Sequence, residues 1–246
     1  MLENCAVVVT GGASGIGLGV AKAFAEAGAK VCIGGRRKDA VDKAVESIQS
    51  SNNLAGQIFG HPMDVSNREQ VAAFFDWSTK TIGPTDILVQ AAGVNIRNRA
   101  IDLMTPEEWD QVIAINATGA YNCMTAVLPS MRARKDGLII NISSVAGKRA
   151  IALGGVAYGA SKFAMTALGI CVSNEVAGDG VRVTNVYPGE VNTPILDKRP
   201  IPVSDAHKAQ ILQPEDIAAM ILAIADLPPR AHVPEIVIKP LSQVYY

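Results

Sequence analysis

Between Ala6 and Gly28 the chain places an apolar run, a glycine-rich turn and a helical period in immediate succession. Ala6-Val7-Val8-Val9-Thr10 is short and apolar throughout, the pattern of a buried strand. Val20, Ala21, Phe24 and Ala25 then recur with helical spacing, and Gly28 ends the period. The turn between them is Gly11-Gly12-Ala13-Ser14-Gly15-Ile16-Gly17. Glycines there let the backbone approach a pyrophosphate, and the helix start offers N–H groups and a positive dipole end. A strand, this turn and a helix in that order predict a dinucleotide site. The spacing is G-x-x-x-G-x-G, distinct from the commoner G-x-G-x-x-G.

The rest of the chain repeats the alternation. Strands are expected at Val31-Cys32-Ile33, Ile58 to Val65, Asp86-Ile87-Leu88-Val89, Leu138 to Ile142, Arg182 to Tyr187 and Glu235 to Lys239. Helices are expected at about Asp39 to Ser50, Arg68 to Ile82 and Thr105 to Arg134, then from Tyr158 to Gly178 and Pro214 to Ala225. Val71, Phe74 and Phe75 mark the inner face of the second of these. Strand–helix alternation implies a Rossmann-type doubly wound parallel sheet of about seven strands, in a three-layer α/β/α sandwich. Residues 1–246 read as one domain, with the polar, proline-broken stretch 195–210 as a short lid.

Net charge is −1, which suggests no nucleic-acid or anionic-membrane partner. No apolar run reads as long enough to cross a bilayer, and Glu3 stands where a secretion leader would carry Lys or Arg. Cys5, Cys32, Cys123 and Cys171 form no C-x-x-C and read as reduced core residues, so a cytoplasmic location is expected. The three histidines have no metal-ligand spacing, and no metal is expected.

Tyr158 and Lys162 are four apart on one predicted helix face, while Ser143 and Ser144 stand at the carboxyl end of a predicted strand, where open α/β sheets bind ligands. A hydroxyl, a phenol and an ammonium can therefore converge. These residues, with Thr10 to Gly17 as T-G-x-x-x-G-I-G, resemble the short-chain dehydrogenase/reductase family over essentially the whole chain. The resemblance implies an enzyme acting on an alcohol or carbonyl with a nicotinamide cofactor. It assigns Tyr158 as acid/base, Lys162 as the group that lowers its pKa and holds the nicotinamide ribose, and Ser144 as the donor that fixes the reacting oxygen. Asn116 would kink its helix and anchor a proton relay through water and Lys162. Asp64 and Val65 would meet the adenine, although Asp64 or Ser66 could equally cap the next helix. Gly11, Ser14, Gly15, Ile16 and Gly17 would meet the phosphates, with Ala92 and Gly93 against the nucleotide. Pro188 and Gly189 open a loop over the nicotinamide, to which Val191 and Thr193 would contribute.

Two departures stand out. The family's usual N-N-A-G reads Gln90-Ala91-Ala92-Gly93, which questions how the central strand is braced. The interval from Ser144 to Tyr158 is one residue longer than usual, enlarging the loop Lys148 to Gly155 at the substrate mouth.

An acid about twenty residues after the glycine turn would favour NAD(H). That position is Gly35, followed by Arg36, Arg37 and Lys38, so NADP(H) is expected over NAD(H). Ser14, where many NADP(H) relatives carry a second basic residue, moderates the preference. The substrate is expected to be a small alcohol or carbonyl compound. The alternatives are a 3-oxoacyl thioester on a carrier protein and, in another class, a non-catalytic NAD(P)-sensing regulator. Arg97, Arg99, Lys198 and Arg199 lie in the two loops expected to flank the substrate and would suit a negative group. The resemblance also implies a homo-oligomer, a dimer or tetramer, packed through the helices around 114–134 and 160–178, with Ala160, Ala164 and Ala167 allowing close approach. The apolar tail Val244-Tyr245-Tyr246 would be covered by a neighbour.

Overall fold

The computed structural model describes residues 2–244. Seven strands form one wholly parallel sheet in the order β3-β2-β1-β4-β5-β6-β7. They are β1 (Ala6–Thr10), β2 (Lys30–Gly35), β3 (Gln57–Pro62), β4 (Ile87–Gln90), β5 (Gly137–Ile142), β6 (Val181–Pro188) and β7 (Glu235–Ile238). The helices are α1 (Gly15–Glu26), α2 (Lys38–Gln49), α3 (Arg68–Ile82), α4 (Pro106–Ile113), α5 (Gly119–Arg134), α6 (Val156–Val176), α7 (Asp205–Lys208) and α8 (Pro214–Ala225).

Strand alternation divides the core. Val7 and Val9 face α1, α2 and α8, whereas Ala6 and Val8 face α3 and α5. Phe24 of α1 and Ile217 and Ile221 of α8 are fully buried on the first side, Phe74 of α3 and Met131 of α5 on the second. The order of strand addition reverses between β1 and β4, so a crevice opens beyond their carboxyl ends.

Several local expectations are refined. The long helix breaks at Ala114–Thr118, which is π-helical with Gly119 N–H donating to Ala114 O, around the Asn116 expected to kink it and away from Pro106. Thr105 and Glu108 instead form a reciprocal capping box that starts α4 cleanly. The cap of α3 is Asn67, whose side chain accepts from Gln70 N–H, so neither Asp64 nor Ser66 caps it. Helix α6 begins at Val156 and continues through a 3₁₀ turn to Asp179, 24 residues in all. That unit is long and apolar enough to cross a membrane by composition, contrary to the sequence expectation. It packs along the sheet, with Lys162, Met165, Thr166 and Gly169 buried. Among the cysteines, Cys171 is exposed on α6, unlike buried Cys32 and Cys123. Of the apolar tail, 245 and 246 lie outside the described residues.

The central strand is braced by a buried amide ladder. Gln90, Asn141 and Asn185 are register partners on β4, β5 and β6. Gln90 Nε2 donates to Asn141 Oδ1 at 2.9 Å, and Asn141 Nδ2 donates to Asn185 Oδ1 at 2.9 Å. Gln90 therefore supplies the bracing that the missing asparagines would have given. Helix α6 makes room with Gly169, where a β-carbon would lie 2.2 Å from Asn185 Oδ1 and 2.5 Å from Asn141 Nδ2. Gly169→Ala should therefore destabilise the fold by about 1–3 kcal/mol, the usual cost of overpacking. Denaturant melts would read this as a lower midpoint with an unchanged slope, and a neutral result would remove the ladder from the account.

Candidate active site

A cavity of about 770 Å³ runs along the carboxyl edge of the sheet, from the end of β2 to the loops after β5 and β6. At one end lies the turn between β1 and α1. Gly11 and Gly15 adopt φ of +68° and +53°, a conformation that favours glycine. Ser14 begins α1 without a side-chain cap, and the first turn contains no acid. The N–H groups of Gly15 and Ile16 thus start a helix at the cavity wall, with no anionic side chain of their own first turn competing for them. Gly17 serves packing, since a β-carbon there would lie 2.3 Å from Gly11 O. Arg36 and Arg37 follow β2, line the cavity and have no side-chain partner among the described residues. These features suit a dinucleotide: a helix start at the cavity wall, a glycine-rich turn and two guanidiniums without a side-chain partner among the described residues.

At the other end are Ser144, Tyr158 and Lys162. Ser143 and Ser144 differ sharply in their bonding. Ser143 Oγ is buried between Lys162 O, to which it donates at 3.2 Å, and Thr166 Oγ1 at 3.1 Å. Ser144 Oγ accepts from Ala146 N–H at 3.1 Å, which leaves its hydroxyl proton free to donate. Lys162 Nζ donates to Ile142 O at 2.7 Å and lies 5.7 Å from the centre of the Tyr158 ring. Burial lowers the Lys162 pKa to about 8. The expected lowering of Tyr158 by Lys162 is not what the structure gives. Burial raises the phenol pKa, opposed by the Ser144 hydroxyl and then by the charge of Arg99.

Asn116, Asp64 and Gly17 do not line the cavity, and neither does Arg97. Asn116 is fully buried in the π-helical turn. Its Oδ1 accepts from Val94 N–H at 2.8 Å, while Nδ2 donates to Val94 O and to Ser161 Oγ, each at 2.9 Å. The amide therefore ties the segment after β4 to α6, with both of its N–H donors engaged. Asp64 accepts from the N–H and hydroxyl of Ser66 at 2.9 and 2.6 Å, between Met63 and Val65, which do line the cavity. Val65, Ala92, Gly93, Pro188, Gly189, Val191 and Thr193 do line the cavity, as expected. Thr193 packs against Gly15, where a β-carbon would meet it at 3.1 Å, joining the loop after β6 to the glycine turn.

Sequence reasoning missed several wall residues. Asn95 Nδ2 donates to Gly154 O at 3.0 Å, and Gln243 Oε1 accepts from Glu190 N–H at 2.9 Å. Both join segments distant in sequence, so no local pattern marks them. The enlarged loop does border the mouth, through Ile151, Leu153 and Gly154. Of the lid, Ile195, Leu196, Lys198 and Arg199 reach the cavity, whereas α7 touches it indirectly, through His207 on Glu190 at 2.7 Å.

A doubly wound sheet with a glycine turn at its switch point, and a serine, tyrosine and lysine beside it, defines a nucleotide-dependent oxidoreductase fold. The chain belongs to the short-chain dehydrogenase family, whose model matches residues 5–201. It is 36% identical over 247 residues to a glycine betaine reductase of Emericella nidulans, covering 98% of this chain but 19% of that enzyme's length. It is 32% identical to an uncharacterised oxidoreductase of Listeria monocytogenes, covering 98% of each. Among solved structures, an alcohol dehydrogenase from Thermococcus sibiricus complexed with 5-hydroxy-NADP superposes with a TM-score of 0.86, at 27% identity and covering 97% of both chains.

Proposed function

We propose that this chain is an NADP(H)-dependent oxidoreductase interconverting an alcohol and a carbonyl, with Tyr158 as its proton donor and acceptor. The observation that carries the reading is one continuous cavity with the glycine turn and Arg36 at one end and Ser144, Tyr158 and Lys162 at the other. A bound nicotinamide supplies or accepts the hydride, which no protein side chain can do. Tyr158 would give its phenolic proton to the carbonyl oxygen in reduction and take it back in oxidation. Ser144, whose hydroxyl also bonds Tyr158, would hold the same oxygen. Lys162 would keep its ammonium at neutral pH, since its pKa is about 8, and would hold a ribose hydroxyl. Asn116 is a positioning residue that keeps the segment after β4 and α6 in place. Arg36 and Arg37 would take the 2′-phosphate.

The test is a nicotinamide-coupled activity screen over alcohols, hydroxy acids, ketones and ketoacyl thioesters, run in both directions. Turnover of at least one free alcohol or ketone is expected. Cofactor binding without any turnover would favour a sensing regulator, and turnover confined to ketoacyl thioesters would favour a carrier-protein reductase.

An exposed apolar stripe supports a homo-oligomer, a dimer or tetramer. Val156, Phe163 and Ile170 on α6 and Tyr121 on α5 are 41%, 42%, 42% and 47% exposed, with Ala160, Ala164 and Ala167 also exposed between the larger α6 residues. Such a patch is covered in stable assemblies. Sedimentation at micromolar concentration should give a multiple of 25.8 kDa, and Phe163→Asp should shift the mass toward one chain. A monomeric wild type would refute this.

A further inference from the structure

The cavity is strongly electropositive. Six of its lining residues are Arg or Lys (Arg36, Arg37, Arg99, Lys162, Lys198 and Arg199), against one acid, Glu190. Arg36 and Arg37 lie at the β2 end, and Lys162 is buried on α6. The other three gather at the mouth beside Tyr158.

Arg99 is the unusual member. Nε donates to Ile96 O at 2.9 Å, Nη1 to Leu153 O at 2.5 Å and Nη2 to Lys198 O at 3.2 Å. Its stem packs on Gly155, where a β-carbon would lie 2.5 Å from Arg99 Cβ. The side chain thus joins the loop after β4, the loop before α6 and the lid. All three acceptors are neutral carbonyls, and no carboxylate pairs with it among the described residues. A guanidinium has five N–H donors, so two remain, on a group that lines the cavity. Arg199 stands close enough for its charge to oppose that of Arg99, and Arg99 in turn acts on Tyr158. Glu190 does not resolve the imbalance. Its Oε2 is shared between Arg199 Nη2 at 3.2 Å and His207 Nε2 at 2.7 Å. Glu190 therefore answers Arg199 only in part, and half-buried Arg99 is left with carbonyls alone at the end where the substrate must lie. A partly desolvated cation without a counter-ion is costly, and a ligand anion removes that cost.

We propose that the substrate carries a carboxylate, gripped by Arg99 and steadied by Arg199, while its alcohol or carbonyl carbon lies at Tyr158. The enzyme would interconvert hydroxy acids and oxo acids. This deepens the oxidoreductase reading and rests on it. Of the two mouth cations without a carboxylate partner among the described residues, Lys198 is exposed to solvent, whereas half-buried Arg99 presents the two remaining N–H donors that a planar carboxylate takes. Ile151 and Leu153 line the same mouth and give an apolar wall to the rest of the substrate.

The experiment compares matched pairs, hydroxy acids of increasing separation between hydroxyl and carboxylate and their methyl esters, with phosphate esters of similar size as a third arm. Wild type should turn over at least one acid with kcat/KM tenfold or more above its ester, and salt should raise KM for the acid more than for the ester. Arg199→Met should lose at least fivefold in kcat/KM for the acid, through KM, and narrow the acid-to-ester ratio. Arg99→Gln should narrow it further. Should Arg99→Gln melt early because the three loops part, Arg199→Met still decides the matter. Esters used as well as acids, or phosphate esters preferred to both, would overturn the carboxylate assignment while leaving the oxidoreductase reading intact. Turnover of no alcohol of any kind would instead bring down the oxidoreductase reading and this proposal with it.

Discussion

Tyr158→Phe should lower kcat by about 10²–10⁴-fold, the range that a positioned proton donor contributes, while cofactor affinity stays close to wild type. The aromatic ring remains, so its packing in the wall between Ser144 and Lys162 is kept. The hydroxyl lost is the one whose pKa the structure moves, upward by burial and downward by Ser144 and Arg99. A raised pKa keeps the phenol protonated and ready to donate, which suits reduction. In oxidation it must first lose its proton, so the oxidative rate should rise with pH over a range where the reductive rate does not. Lys162 adds a second boundary, because its ammonium is lost as pH rises through about 8. Comparing pH profiles of kcat in the two directions, for wild type and Tyr158→Phe, checks both points. Wild-type kcat in the phenylalanine variant would remove Tyr158 from the chemistry.

Gly35→Asp combined with Arg36→Leu should reverse the cofactor preference. Wild type is expected to favour NADP(H) by about ten- to a hundredfold in kcat/KM, since a hydrogen-bonded charge pair is worth about 1.5–3 kcal/mol. Arg36 stands at the carboxyl end of β2 on the cavity wall, and Gly35 before it carries no side chain to bind a ribose hydroxyl or repel a phosphate. An aspartate there would do both. The new side chain meets Val41 Cγ2 at 3.2 Å from its β-carbon, so Val41 must yield slightly. A melting curve recorded beside the kinetics separates that packing cost from the change in preference. Wild type preferring NAD(H), or a folded double variant still preferring NADP(H), would contradict the assignment.

The parts of the molecule legible in the sequence are those set by local chemistry. The glycine turn announces itself because positive φ and a helix start must follow one another within seven residues, from Gly11 to Gly17. The spacing of Tyr158 and Lys162 puts them on one helix face, while their roles come from the family resemblance, and the helix Pro214–Ala225 lies where it was expected. What escaped depends on register and on contacts between distant segments. Nothing near Gln90 says that it will face Asn141 across two strands, or that Gly169 will be cleared for both. The kink at Asn116 was expected, but not that its buried amide would reach both Val94 and Ser161, partners fixed only once the strand and α6 are in place. Lys162 sits on the expected face, yet its ammonium turns to Ile142 O, which helical spacing does not encode. Arg99 read as one of four loop cations, and its separation from Arg97 came from three carbonyls drawn from three loops.

The central claim is that hydride passes within this cavity while Tyr158 manages the proton. The most direct measurement uses reduced cofactor carrying deuterium on the transferable position, with a carbonyl substrate from the activity screen and mass spectrometry of the product. The account predicts one deuterium on the carbinol carbon of the product, with the label transferred by wild type and hardly at all by Tyr158→Phe. Cofactor that binds tightly yet never passes its label to any carbonyl compound, or equal transfer by the phenylalanine variant, would contradict it.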